Sequence, residues 1–260
     1  MLAGWGWGVT EAPNHLAKAA RISLVGDEQF APFAKSRMRP FSPSQIVFGG
    51  CLLAFGASFL NTGFLLSTGT SVSHLTGDIA RIGSGLSRIG NAGELHILNV
   101  TAAALGFIAG AVFSGFWLHH PTVEVTKPYG RILSALGVCL VVAYFAYPGF
   151  PVFSIAVAGA VCGAQNALAS RYRGVVLRTT HLTGLFTDFG IHLGMKFRGH
   201  KVEGWKLLIP VFITFSFLLG AMASATLILH GGNNWLLLAG IGYFLGGIFW
   251  SVYKRIQRGV

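Results

Sequence analysis

Two copies of the tetrapeptide His-Leu-Thr-Gly, at His74–Gly77 and His181–Gly184, carry the side chains in this sequence best suited to chemistry. An imidazole titrates near neutral pH, a threonine hydroxyl both donates and accepts, and glycine permits a tight turn, so His74, Thr76, Gly77, His181, Thr183 and Gly184 form a paired candidate for handling protons or polar solutes. An acid follows each copy: Asp78 lies four residues after His74, and Asp188 seven after His181. Arg81 and Arg178 are the nearest basic partners, and Thr180 adds a hydroxyl beside the second histidine. One reading is proton or cation coupling through Asp/His pairs, because a shielded carboxylate is raised toward the histidine range. The other is structural: Thr76 followed by Gly77-Asp78 makes a helix start, with the acid complementing the dipole in the first turn. Asp188 sits a full turn later, where that dipole benefit fades, and leans toward the functional reading.

The elements that must position these residues are apolar. The 260 residues are 53% hydrophobic and 10% charged, with a mean hydropathy of +0.62, which excludes an ordinary soluble domain. The net charge of +11 would suggest a nucleic-acid binder if the basic residues shared a face, but they lie between long uncharged stretches. A span of a roughly 30 Å hydrocarbon layer needs about 20 residues. The Lys/Arg-free stretches then yield six spans, near 45–66, 96–118, 130–147, 152–170, 206–229 and 235–253, with turns at Pro148–Pro151 and His230–Asn234. Asp78 and Asp188 are the only acids in the expected membrane zone, where a carboxylate at the centre costs roughly 2.5 to 3.5 kcal/mol unless it meets water or a partner. Asn61, Gln165 and Asn166 are amides within apolar spans, suited to interhelical hydrogen bonds or to lining a pore.

The segments 70–90 and 175–195 are more polar, and whether they cross decides the topology. If they do not, seventeen of nineteen Lys/Arg fall on one side and only Arg81 and Arg88 on the other, and the positive-inside rule makes both termini cytoplasmic. If both cross, eight spans in parallel repeats result and the split weakens to fourteen against five. Six is the preferred count. After each motif the apolar residues recur at helical spacing, Ile79, Ile82, Leu86 and Ile89 in one copy and Leu185, Phe186, Phe189 and Leu193 in the other, so each motif opens a short helix.

The motif repeat extends outward. At the motif offset of 107 residues Gly56-Ala57 matches Gly163-Ala164, Gly83 matches Gly190 and Leu86 matches Leu193. At an offset of 110, Phe107 matches Phe217, Gly110-Ala111 matches Gly220-Ala221 and Ser114 matches Ser224. The expected fold class is therefore an all-α integral membrane protein of about six transmembrane helices, arranged as two inverted three-span repeats, each with a short re-entrant or broken HLTG helix. The expected division is a basic cytoplasmic tail, largely disordered, over 1–43, one membrane repeat over 44–147, a second over 148–253, and a basic cytoplasmic end over 254–260. The tail carries Trp5, Trp7 and five basic residues without a continuous apolar core, unlike a signal peptide.

The blocks Gly56-Ala57-Ser58-Phe59-Leu60-Asn61 through Ser73-His74-Leu75-Thr76-Gly77-Asp78, and Gly163-Ala164-Gln165-Asn166-Ala167 through Arg178-Thr179-Thr180-His181-Leu182-Thr183-Gly184, resemble the YoaK-type family of bacterial membrane proteins (domain of unknown function 1275). The likeness runs over roughly residues 44–253. In that family the first block usually reads like Gly-Tyr-x-Asp-Ala before Ser-His-x-Thr-Gly-Asn, so Asn61 and Asp78 are variants of the pattern, and the second block fits more closely. The resemblance implies a multi-span inner-membrane protein and leaves its activity open.

Function is expected to be that of a small-solute permease or channel in the bacterial inner (plasma) membrane, with the paired motifs lining the pathway. The alternatives are an intramembrane enzyme acting on a lipid or peptide, and a noncatalytic scaffold or sensor. No Gly-x-Ser-x-Gly elbow, HExxH or phosphate loop appears, so no catalytic role is expected. His119-His120, His192, His200 and His230 are placed at helix ends or in loops and show no metal spacing, so neither a metal nor another cofactor is expected. Cys51, Cys139 and Cys162 read as small buried hydrophobes outside any disulfide framework. Small-xxx-small pairs at Gly106/Gly110, Gly110/Ser114, Gly159/Gly163, Gly220/Ser224 and Gly242/Gly246 are expected to pack helices closely and permit a homo-oligomer. The partners expected are the lipid bilayer and an unknown small solute or ion, with no nucleic acid.

Overall fold

In a computed structural model the chain is described over residues 42–85, 91–118, 128–168, 179–232 and 234–258; the expected basic tail, His119-His120 and Arg178 lie outside these ranges, Ser42 and Pro43 excepted. Among the described residues there are eight helices and no strand: α1 (Pro43–Thr68), α2 (Leu75–Gly85), α3 (Asn91–Leu118), α4 (Tyr129–Ala146), α5 (Pro151–Leu168), α6 (Leu182–Phe197), α7 (Gly204–Gly231) and α8 (Asn234–Arg258). Six of them, all but α2 and α6, are long and apolar enough to cross a membrane. This is a helical membrane protein. At a rise of about 1.5 Å per residue, α2 is about 16 Å long and α6 about 24 Å, both short of a roughly 30 Å hydrocarbon layer.

Local signals set the helix ends. Ser42-Pro43-Ser44-Gln45 forms a capping box, in which the Ser42 hydroxyl accepts from the Gln45 amide at 3.3 Å and the Ser42 amide donates to Gln45 Oε1 at 2.9 Å. Pro43 adds a preset φ at the first helical position. Gly69 ends α1 in the left-handed region, φ 70°, donating its amide to the Leu65 carbonyl. That stop matters to function, because it releases the chain into the first motif.

Glycines set which helices pair. On α3 and α5, a Cβ on Gly106 would overlap the Ala156 carbonyl and one on Gly110 the Ala160 carbonyl, while Gly159 and Gly163 abut the carbonyls of Ala103 and Phe107. The Ser114 hydroxyl extends the same register by donating to the Ala164 carbonyl at 3.0 Å. Partner numbers rise together, so α3 and α5 run parallel. The α1–α7 pair behaves alike: Gly220 abuts Phe55, and the Ser216 hydroxyl donates to the Cys51 carbonyl at 2.7 Å. On α4 and α8, Gly130 meets Gly247 and Gly137 meets Gly240, so one number rises as the other falls and that pair is antiparallel. The short turn at Tyr147–Phe150 reverses α4 into α5, and α7 and α8, separated by only two residues, likewise run in opposite directions. Together these relations make α1, α3, α4, α5, α7 and α8 alternate strictly in direction. One end of the bundle then holds Gln45, Leu118, Tyr129, Leu168, Gly204 and Lys254, and the other holds Thr68, Asn91, Ala146, Pro151, Gly231 and Asn234.

The core lies along the inner faces of α1, α4, α5 and α8, around Leu60, Phe64, Leu140, Ile155 and Trp235. Large apolar side chains such as Phe116, Phe145 and Leu229 are more than 70% exposed, an outer surface that belongs in lipid. Two expectations change here. Of the three free cysteines only Cys162 is buried, whereas Cys51 is half-buried and Cys139 faces outward, because Cys139 falls on the outer stripe of α4. His192 lies inside α6, more than a turn before its end at Phe197, and not in a loop.

Candidate functional site

Each motif follows a long helix in the chain, and seven buried polar side chains lie in or beside the two motif segments: Asn61, Thr70, Ser71 and Asp78 around the first, Gln165, Thr179 and Thr180 around the second. Backbone that is neither helix nor strand needs hydrogen-bond partners inside a membrane protein, and these side chains supply them. Asn61 Oδ1 accepts from the Val72 amide at 3.2 Å, the Ser73 amide at 3.0 Å and the Ser73 hydroxyl at 3.0 Å. Asp78 Oδ2 accepts from the Ser71 amide at 2.7 Å, and its other oxygen lies 3.6 Å from the Arg81 guanidinium. Asn61 from α1 and Asp78 from α2 thus clamp the turn that presents His74. The helix starts at Leu75, one residue before Thr76, so the acid acts by reaching back to the turn and not beside a Thr76 cap.

The second motif is held by the same strategy with different residues. Asn166 Nδ2 donates to the Thr180 hydroxyl at 2.6 Å, and the Thr179 hydroxyl donates to Asn166 Oδ1 at 3.0 Å. Gln165 Nε2 donates to the Leu53 carbonyl at 2.7 Å and lies 3.2 Å from the Thr179 hydroxyl, while Gln165 Oε1 accepts from the Tyr243 hydroxyl. One buried amide therefore joins α1, α5, α8 and the second motif turn. At the offset of 107 the clamped positions Val72-Ser73 correspond to Thr179-Thr180, so both turns are held at equivalent points.

The two motifs meet. His74 lies within hydrogen-bonding reach of the Thr180 backbone and within electrostatic range of His181, and its ring packs edge-on against Phe217 with ring centroids 5.2 Å apart. Phe217 is the fourteenth of the 28 residues of α7, so His74 stands at half the height of that helix. The segment carrying His74 leaves and rejoins the bundle at the Thr68/Asn91 end, and the one carrying His181 does so at the Leu168/Gly204 end. They approach from opposite ends.

Accessibility divides the candidate residues. Thr76, Gly77, His181 and Thr183 are exposed, and His74, Gly184, Asn166 and Asp188 are half-buried. The His181 ring folds over α6 into the space a Cβ on residue 184 would take, which is why that position is glycine; Gly77 has open space there. The first amides of α6 have no side-chain cap. Asp188 makes no ion pair among the described residues, and Arg178, its expected partner, lies outside them. No cluster of three metal-ligating side chains occurs among the described residues. Sequence reading missed Phe217 and Tyr243; a tyrosine inside an apolar helix is a usable signal, since a buried phenol needs a partner and Gln165 was the buried amide without one assigned.

A family model described as "Protein of unknown function (DUF1275)" matches residues 49–249. No curated protein and no solved structure matches the chain.

Proposed function

The chain belongs to the DUF1275 family, and from its geometry we propose a small-solute permease or channel in which the two His-Leu-Thr-Gly segments line the pathway from opposite sides. The observation that carries this reading is the approach of His74 to Thr180 and His181 beside the midpoint of α7. Two inverted three-span repeats account for it. Exchanging α1–α4 for α5–α8 turns the α3–α5 pair into α7–α1, the α2–α3 pair into α6–α7 and the α4–α5 pair into α8–α1, all of which pack, while α4–α8 maps onto itself. An odd number of spans per half reverses the second copy, which is the arrangement of many transporters.

The chemistry at the meeting point suits a polar or anionic solute. Two imidazoles, the exposed hydroxyls of Thr76 and Thr183 and the uncapped amides of α6 all offer donors, and a helix start adds a positive dipole end. Asp188 stands one to two turns into α6 as a group able to couple a proton or cation. In this reading the protein is not an enzyme, uses no cofactor and binds no nucleic acid. The basic end of the bundle faces the cytoplasm of a bacterial cell by the positive-inside rule, with both termini there.

The test is flux of a panel of anions, cations and neutral solutes into liposomes carrying the purified protein. Loss of one solute hydrogen bond is worth roughly tenfold, so His74→Ala and His181→Ala are each expected to lower flux by about that factor, and Asp188→Asn to lower any proton-coupled part. Lys201→Gln, on the surface, is expected to change nothing. Absence of flux for every solute class, or unchanged flux in both histidine variants, overturns the proposal.

A further inference from the structure

The pairing of α4 with α5 has α8 with α1 as its counterpart, yet the two seams differ. The short Tyr147–Phe150 turn draws α4 and α5 together, whereas α1 and α8 are far apart in sequence and splay into a laterally open groove of about 370 Å³. Its walls are almost wholly apolar, with Phe48, Leu52 and Phe55 from α1 and Leu238 and Phe249 from α8. Its floor is glycine. A Cβ on Gly49 or Gly242 would meet nothing within 4 Å, and one on Gly246 only the Leu133 side chain at 3.7 Å. The glycines of α3–α5 and α4–α8 are consumed in helix contacts; these three leave space that nothing in the described chain fills. The Gly242/Gly246 pair, expected from sequence to pack a helix, instead opens a channel.

The shape and the charge of this groove point to one occupant. Along α1 it runs from Gln45 to Phe59, about 21 Å at the helical rise, somewhat more than one leaflet of a roughly 30 Å hydrocarbon layer. Its mouth lies at the end of the bundle where α1 starts and α8 finishes, closed over by the Gln45 Nε2 hydrogen bond to the Tyr253 hydroxyl at 2.7 Å. Trp250 and Tyr129 line that mouth, residues suited to headgroup depth. The α8 wall ends there in basic sequence: Lys254 follows Trp250 by one helical turn, with Arg255 exposed beside it. Toward the protein interior Tyr243 forms the back wall and donates its hydroxyl to Gln165, so the groove is separated from the motif site.

We propose that the α1–α8 groove binds one acyl chain of an anionic phospholipid, with the phosphate held at the basic mouth by Lys254 and Arg255. An apolar, glycine-floored slot of this length takes a flexible hydrocarbon chain, and the cationic end selects a phosphate with net negative charge over a zwitterionic one. The site does not depend on the transport reading.

Native mass spectrometry of the purified full chain in a neutral detergent, titrated with phosphatidylglycerol or phosphatidylcholine of the same acyl composition, tests it. Phosphatidylglycerol is expected to bind at least several-fold tighter. A leucine at the groove floor takes the space of a few methylenes of the acyl chain, so Gly242→Leu and Gly246→Leu are each expected to weaken phosphatidylglycerol binding about tenfold or more. Gly115→Leu, on α3 where a Cβ also meets nothing, is expected to bind as the parent does. Lys254→Gln combined with Arg255→Gln leaves the groove intact and is expected to equalise the two lipids. Equal binding of both lipids by the parent, unchanged binding in Gly242→Leu, or a dimer that Gly242→Leu converts to monomer each overturns the proposal, the last by making a second copy the occupant.

Discussion

Asn61 and Asp78 show how a few polar side chains hold irregular backbone where lipid offers no partners. Each accepts from amides of the turn at 71–73, and Asp78 is 3% exposed, so removing either acceptor strands buried donors at roughly 1–3 kcal/mol. Asp78→Ala is therefore expected to destabilise the detergent-solubilised protein by about that amount in thermal or denaturant unfolding, and Asp78→Asn, which keeps an acceptor oxygen, by distinctly less. Equal losses for the two would mean that charge, through Arg81, matters more than the Ser71 hydrogen bond. Asp188 differs although it follows the same motif: it is half-buried and unpaired among the described residues, and Asp188→Asn is expected to leave stability within about 0.5 kcal/mol, as for surface changes away from a packed network. Its place in the fold leaves it available for function.

At the scale of elements, glycine has two opposite uses in this bundle. On α3 and α5, Gly110 and Gly163 let backbones touch, and any side chain would collide with a carbonyl group that cannot rotate away. Gly163→Leu is expected to cost about 1–3 kcal/mol or more by overpacking, read from the unfolding midpoint, with α3 and α5 forced apart. Gly115→Ala, on the same α3 but facing open space, is expected to gain up to about 1 kcal/mol through helix propensity alone. The small-residue spacing is the same in both settings, so periodicity alone could not separate packing glycines from groove glycines such as Gly242. The short helices are a different case. Their apolar period after each motif was legible, and α2 and α6 form where it occurs, although Leu86 and Ile89 of the first period lie outside the described residues; what the period did not give was their neighbours, since the turn before α2 is fastened through Asn61 and Asp78 and α6 packs its buried Leu185 with Ile46, Ala54, Ile209 and Ile213.

At the scale of the whole molecule, the alternation of six helix directions sets where each motif enters. Single cysteines at the exposed positions Thr76 and Thr183, in a background lacking Cys51, Cys139 and Cys162, are expected to react with a membrane-impermeant thiol reagent from opposite faces, Thr183→Cys from the face that carries the basic residues. Reaction of both from one face would require eight crossings and parallel repeats.

Composition and spacing by themselves determined that this chain spans a membrane with six apolar helices, that two short helices follow the repeated motif, and which family it belongs to. Those properties are written in local sums of hydropathy, in the period of apolar residues and in recurring tetrapeptides, none of which needs distant residues to be brought together. Only the tertiary structure decided that His74 reaches Thr180 and His181, that Gln165 is shared by four elements, and that α1 and α8 part into a groove while α4 and α5 close. Each of these depends on helix register and on contacts between residues up to about 200 positions apart, and the same small-residue pattern is compatible with packing or with open space until the neighbouring helix is in place.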